Sequence, residues 1–181
     1  MPRLLHRVYG RSQAWHRELG VQHGQQTCPE WKTCGPLGNK VTGTAKVILD
    51  TWKLLGDGRD QILTGNCKDT VSTKNEIAKK WYIPLIQGTM SCAYKLFISR
   101  SEKLVANCAT FAAAVLPRVH AADPDHAATI YENTKVGAVS TDYMAVWDAF
   151  KGVYDALGIT AEDIGVYQGF QPTRKPTKKA V

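Results

Sequence analysis

Residues 141–158 read TDYMAVWDAFKGVYDALG. Tyr143, Trp147, Phe150, Tyr154 and Leu157 recur there at alternating steps of four and three. That repeat places them on one stripe of one α-helix. Gly158 supplies the stop, and Ser140 or Thr141 stands where a cap is needed. A stripe so rich in rings needs a deep surface to dock on, either the chain's own core or a neighbouring protein.

The flanking segments carry the same signature. Thr160-Ala-Glu-Asp163 has the spacing of a capped short turn. Upstream, Asp123-Pro124 offers an N-cap followed by proline at the first helical position, which starts a short helix over 125–133. Ser99-Arg-Ser-Glu102 fits a capping box, with Ser99 as N-cap and Glu102 reaching back. It leads into a helix bearing Leu104, Cys108, Phe111, Ala112 and Val115, which Pro117 is expected to end. Before it, a helix beginning near Lys74–Glu76 should end or kink at Pro84 and resume through Leu85, Thr89, Cys92 and Leu96. The first clear helix begins near Gly38–Asn39. It bears Val41, Ala45, Ile48, Trp52 and Leu55 on one stripe, and Gly56-Asp57-Gly58 is expected to stop it. Residues 59–73 read as mixed and polar. No segment reads as a strand.

Charge separates the ends from the middle. The 181 residues carry a net +7. Residues 1–17 hold Arg3, Arg7, Arg11 and Arg17, and the last ten hold Arg174, Lys175, Lys178 and Lys179, both without an acidic residue. The stretch between is close to neutral, so the basic character belongs to the ends. Basic ends suit contact with an acidic protein surface, RNA or acidic lipid, or they are simply solvated. An Arg-rich amphipathic start without acids has the pattern of a mitochondrial or plastid transit segment. A retained arm that grips a partner is the other reading. A secretory signal is not expected, because no apolar core of about 7–15 residues follows the charges. No transmembrane span is expected either. The longest uncharged runs, Trp81–Tyr94 and Leu104–Pro117, are fourteen residues each, against the roughly 20 that a bilayer needs.

Five cysteines are present. Cys28 and Cys34 flank a short loop that can close as a disulfide. Cys92 and Cys108 fall on successive helices, where they either meet or serve as small buried apolar residues. Cys67 lies beside Lys68, which favours a thiolate, but no histidine is near in sequence and a catalytic role is not expected. His120 and His126 bracket two aspartates in a pattern that can ligate a metal. Asp123 as a cap and Asp125 at a helix N-terminus account for the carboxylates without one. Gly38–Thr44 lacks both the Gly-Lys-Ser/Thr ending and the preceding strand of a phosphate loop. No nucleophile elbow or zinc-protease motif occurs. Neither a cofactor nor a metal is expected.

The segments IPLIQGTMSCAYK (83–95), ATFAAAVLPRV (109–119), ATIYENTKV (128–136) and LGITAEDIG (157–165) together resemble a helical, cysteine-containing domain of diatom and related algal proteins. The resemblance spans about residues 40–166 and rests on packing and capping residues. It implies an all-α domain and an algal source, and it carries no activity.

The expected fold is all-α, an irregular helical bundle of about four long and two or three short helices over residues 39–167. An extended basic arm (1–38) precedes it and a basic tail (168–181) follows. The expected function is a non-catalytic accessory subunit of a larger organellar assembly, mitochondrial in preference to plastid. It would dock on other protein subunits through Arg3, Arg7, Arg11, Trp15, Trp31, Arg174 and Lys175, since interface hot spots favour Trp and Arg. The alternative is a free-standing lumenal or secreted helical domain, with a Cys28–Cys34 disulfide, that binds a small apolar ligand between its helices.

Overall fold

The computed structural model describes residues 28–35 and 45–169. The protein is all-α. Among the described residues, a helical turn at 28–31 is followed by six helices: α1 (Lys46–Leu63), α2 (Cys67–Ile98), α3 (Glu102–Ala122), α4 (Pro124–Thr134), α5 (Tyr143–Leu157) and α6 (Ala161–Ile164). The β-type pairing found among them is a lone antiparallel bridge between Cys34 and Ala45.

The aromatic stripe of α5 docks into the chain's own core. Tyr143, Phe150, Tyr154 and Leu157 are buried, and Trp147 is half-buried. α5 packs on α2, α3 and α4. Tyr143 meets Tyr94 of α2 edge-on at 5.2 Å between ring centroids, and Trp147 stacks on Trp31 at 6.3 Å, arrangements that suit the ring quadrupoles. Gly158 caps the helix in a left-handed conformation, φ 68°, as its position implied. At the other end the cap is Asp142, whose carboxylate accepts the Ala145 N–H at 3.1 Å. The expected alternative Thr141 instead donates its hydroxyl to the Asn133 carbonyl.

The other boundaries divide into those that local chemistry set and those that packing overrode. Asp123 caps α4, accepting the N–H groups of Asp125 and His126 at 2.9 and 3.0 Å. Thr160 and Asp163 complete a reciprocal capping box on α6. The cap of α3, however, is Ser101 and not Ser99, so Glu102 becomes the first helical residue. Neither inner proline ends a helix. α2 runs unbroken through Pro84, and α3 runs through Pro117 to Ala122. An interior proline costs about 3 kcal/mol. Each large apolar side chain buried contributes about 1.5–3 kcal/mol, and Ile83, Ile86 and Met90 lie within two turns of Pro84 while Val115 and Val119 flank Pro117. Burial wins at both places.

Packing also overrides the expected stop at Gly56-Asp57-Gly58. α1 continues to Leu63, and α2 begins at Cys67, well before Lys74. Gly58 faces α2 so closely that an added Cβ would touch the Thr73 methyl at 3.4 Å. The Thr73 hydroxyl donates to Gln61 Oε1 at 2.9 Å across the same contact. Gly58 thus lies within the helix–helix contact instead of ending its own helix. The turn itself falls at Thr64-Gly65-Asn66, where Gly65 has φ 72° and Asn66 caps α2.

Residues 28–35, which fall within the expected N-terminal arm, pack on the helical core. Trp31 is fully buried against Trp147 and Tyr167. Backbone N–H groups of Val166 and Gln168 bond to the carbonyls of Trp31 and Glu30. The Cys28–Cys34 disulfide closes the segment into a loop. Gly165 makes the close approach possible. Its φ is +79°, and a Cβ there would sit 2.1 Å from the Trp31 carbonyl oxygen, a position and a conformation open only to glycine.

Candidate docking surface

α2 passes from a two-helix arm into the core. From Ile83 to Leu96 most of its residues are buried, whereas from Cys67 to Lys80 only Thr73 is. That outer half packs mainly on α1. α1 in turn buries only Ile48 and Thr51 and finds its main partner in α2. Yet α1 is far from polar. Trp52 is 55% exposed and Leu63 78% exposed, with Leu55 and Ile62 also outward. At 100° per residue these four fall within about one quadrant of the helix. Val71 and Trp81 add outward apolar groups on α2. Trp52 and Leu55, read from the sequence as one stripe with Ile48, belong to an apolar face turned to solvent. Such faces mark contact sites more often than isolated exposed side chains do.

Charges pin the base of this arm to the body. Lys46 Nζ lies 2.6 Å from Asp50 Oδ2, and Lys80 Nζ lies 3.5 Å from Asp50 and 3.7 Å from Asp163 of α6. The hydrogen bond to Asp50 raises the Lys46 pKa above the ordinary lysine value. Burial opposes the charged form of Asp163, but Thr160 donors and the Lys80 and Lys46 charges outweigh it and hold the carboxyl below its usual range. These groups line a groove of about 330 Å³ that reaches Cys34 and Thr33. Each of these cations faces a carboxylate, which is the pattern of a structural clamp.

Elsewhere the titratable groups serve the fold. His126 Nδ1 sits 2.7 Å from Asp123 Oδ2 within the α4 cap. His120, the other half of the suggested metal pair, is exposed near the end of α3, and no cluster of three or more candidate ligands occurs among the described residues. Burial raises the phenol pKa values of Tyr143 and Tyr154, keeping both neutral. Cys67 is exposed at the start of α2. A groove of about 660 Å³ between the α2–α3 joint and residues 136–137 is lined by Arg100, Glu102 and Val105. Arg100 there donates to the Ala138 carbonyl and to Thr141. α3 is long and apolar enough to cross a membrane by length and composition, while its Cys108, Ala112, Val115 and Val119 face the core.

Of the partner contacts expected from the sequence, Arg3, Arg7, Arg11, Trp15, Arg174 and Lys175 lie outside the described residues. Trp31 is not partner-facing: its indole fills the core between Trp147 and Tyr167. The structure contains the Cys28–Cys34 bond. The outward residues of the arm were missed because periodicity reports that a face is apolar, not what covers it. The polar run 59–73, which offers α1 few apolar partners, was the available hint. No family model, curated protein or solved structure matches the chain.

Proposed function

We propose that this chain is a non-catalytic accessory protein, an irregular helical bundle that binds another protein subunit through the apolar face of its α1–α2 arm. The observation that carries the reading is the outward set Trp52, Leu55, Ile62 and Leu63. A tryptophan and three aliphatic side chains on one helical stripe suit an apolar groove or helix face on a partner. The basic ends, where they engage, add charge contacts at the rim. The Cys28–Cys34 bond supports work in an oxidising compartment, because such bonds persist there and are reduced in the cytosol.

The test is affinity purification of the full chain from its source, beside a Trp52→Glu/Leu55→Glu variant, with cross-linking from Lys53 and Lys74. The reading expects a partner that cross-links to the arm and is lost from a variant with unchanged helical circular dichroism. A partner retained by the variant, or cross-links confined to the body, would overturn it. So would light scattering that finds only a self-dimer which the variant dissolves.

The same disulfide favours a second reading, a free-standing lumenal or secreted domain. That reading expects a monomer with no co-purifying protein, and a small apolar ligand in the mass spectrum of the native protein.

A further inference from the structure

Where α2 and α3 meet, small residues let the two backbones come close. α2 buries Gly88, Thr89, Ser91, Cys92 and Ala93 along this stretch, and α3 buries Cys108 and Ala112. The two cysteines stand level with one another. Cys92 Sγ reaches the Leu104 carbonyl, one turn before Cys108, at 3.4 Å. Reciprocally, Cys108 Sγ reaches the Thr89 carbonyl, one turn before Cys92, at 4.0 Å. Each thiol therefore points at the backbone turn that carries the other. In this structure both are thiols. Cysteines that face one another across closely packed helices are the starting arrangement for a disulfide.

We propose that Cys92 and Cys108 are an oxidisable pair, which a small-molecule disulfide converts to a second intrachain disulfide stapling α2 to α3. The two are not equivalent. Cys92 is 5% exposed and Cys108 fully buried. The hydrogen bond from Cys108 lowers the Cys92 pKa, while the same bond and burial hold the Cys108 proton in place. Cys92 is thus the attacking sulfur and Cys108 the resolving one. The Cys92 thiolate displaces one half of the small disulfide as a thiol, leaving a mixed disulfide. Cys108 then attacks Cys92 Sγ, and the second small thiol departs with the Cys108 proton. One S–S bond breaks and one forms. The protein dithiol is oxidised by two electrons, and the reagent is reduced to two thiols.

The experiment uses the full chain with Cys67→Ser, which removes the exposed thiol and leaves the core intact. Samples incubated with and without oxidised glutathione are unfolded, alkylated and mapped by mass spectrometry. The untreated chain should alkylate at both Cys92 and Cys108. The treated chain should alkylate at neither and yield a cross-linked peptide joining the two. Its urea midpoint should also rise, and that rise should be absent in a Cys67→Ser/Cys92→Ala/Cys108→Ala chain given the same treatment. Two alkylated cysteines after treatment, or glutathione held on Cys92 without a Cys92–Cys108 peptide, would overturn the proposal. So would an equal midpoint shift in the chain lacking both cysteines.

Discussion

Between Ile83 and Leu96, α2 buries ten residues; between Cys67 and Lys80 it buries Thr73 alone. The helix is continuous, yet its halves are held by different forces. The inner half is fixed by contact with α3, α5 and α6, so its helicity follows from apolar burial. The outer half rests on an asparagine cap, one threonine–glutamine bond and the lysine–aspartate clamp at the base of the arm. The two segments also differ in what they leave for other molecules. The body turns most of its aromatic groups inward, with Tyr131 the exception, and the arm turns Trp52 outward.

Two tryptophans give the strongest test of that difference. Trp31 is fully enclosed, and Trp31→Ala should lower the stability of the isolated protein by about 3–5 kcal/mol, the usual range for emptying a large aromatic site. Trp52→Ala should change it by no more than about 0.5 kcal/mol, as for ordinary surface positions. Urea denaturation of both variants decides the matter. Equal effects would mean that the arm is part of the core and that the comparison fails.

Gly165→Ala probes the same enclosure from the other side. The added carbon would meet the Trp31 carbonyl oxygen at 2.1 Å, and the residue's positive φ disfavours any side chain. A loss of about 1–3 kcal/mol is expected, as for other forced overpacking and for strained backbone. The same change at Gly56, where a Cβ meets nothing within 4 Å, should stabilise the arm by up to about 1 kcal/mol, since alanine favours the helix. Thermal melts of the two variants should therefore move in opposite directions.

How much of this was legible in the sequence depends on which force set each feature. The all-α class, the α5 stripe, the Gly158 stop, the Asp123 cap and the Thr160–Asp163 box are local, and short spacings carry them. The helix through Pro84 and Pro117 was not legible, because burial of Ile83, Ile86 and Val115 comes from residues distant in sequence. Trp31 misled for a related reason. A tryptophan in a Gly- and Pro-rich loop finds a pocket, but sequence does not say whose pocket, and Gly165 is 134 residues away. The outward face of α1 is a different case: its period was legible, but nothing local says what, if anything, covers it. The Cys28–Cys34 pairing was accessible from spacing alone.

The arm should also open on its own. Asn66 accepts the Asp69 N–H at 3.3 Å and donates to the Asp69 carboxylate at 2.6 Å, and no buried apolar contact backs it up. Asn66→Ala should cost about 1 kcal/mol, typical of a lost N-cap. Hydrogen exchange should place that loss in amides 46–80, which open by local unfolding, and leave amides 83–96 protected as before. Uniform acceleration across both halves would show that α2 unfolds as a single unit.

The smallest effect tests the junction itself. The carboxyl of Asp163 sits below its ordinary value of 3.8, so the stability it contributes is fully present above that pH and is lost as pH falls through the lower, folded value. Lys46 is shifted the other way. Its contribution is complete below the ordinary 10.5 and fades as pH rises through the raised, folded value. The clamp between arm and body therefore has an acid edge and an alkaline edge, with a flat interval between. Lys46 is mostly solvated and Asp163 about one quarter exposed, so the effect should be modest and should shrink with added salt. Melting temperatures of the parent and of Asp163→Asn should differ by a constant amount at neutral pH, begin to converge as pH falls below about 4, where the unfolded chain takes up its proton, and come together only below the lower, folded value. A gap that persists unchanged into acid would mean that Asp163 acts only through its Thr160 capping bonds, and that the arm is held to the body by its apolar base rather than by charge.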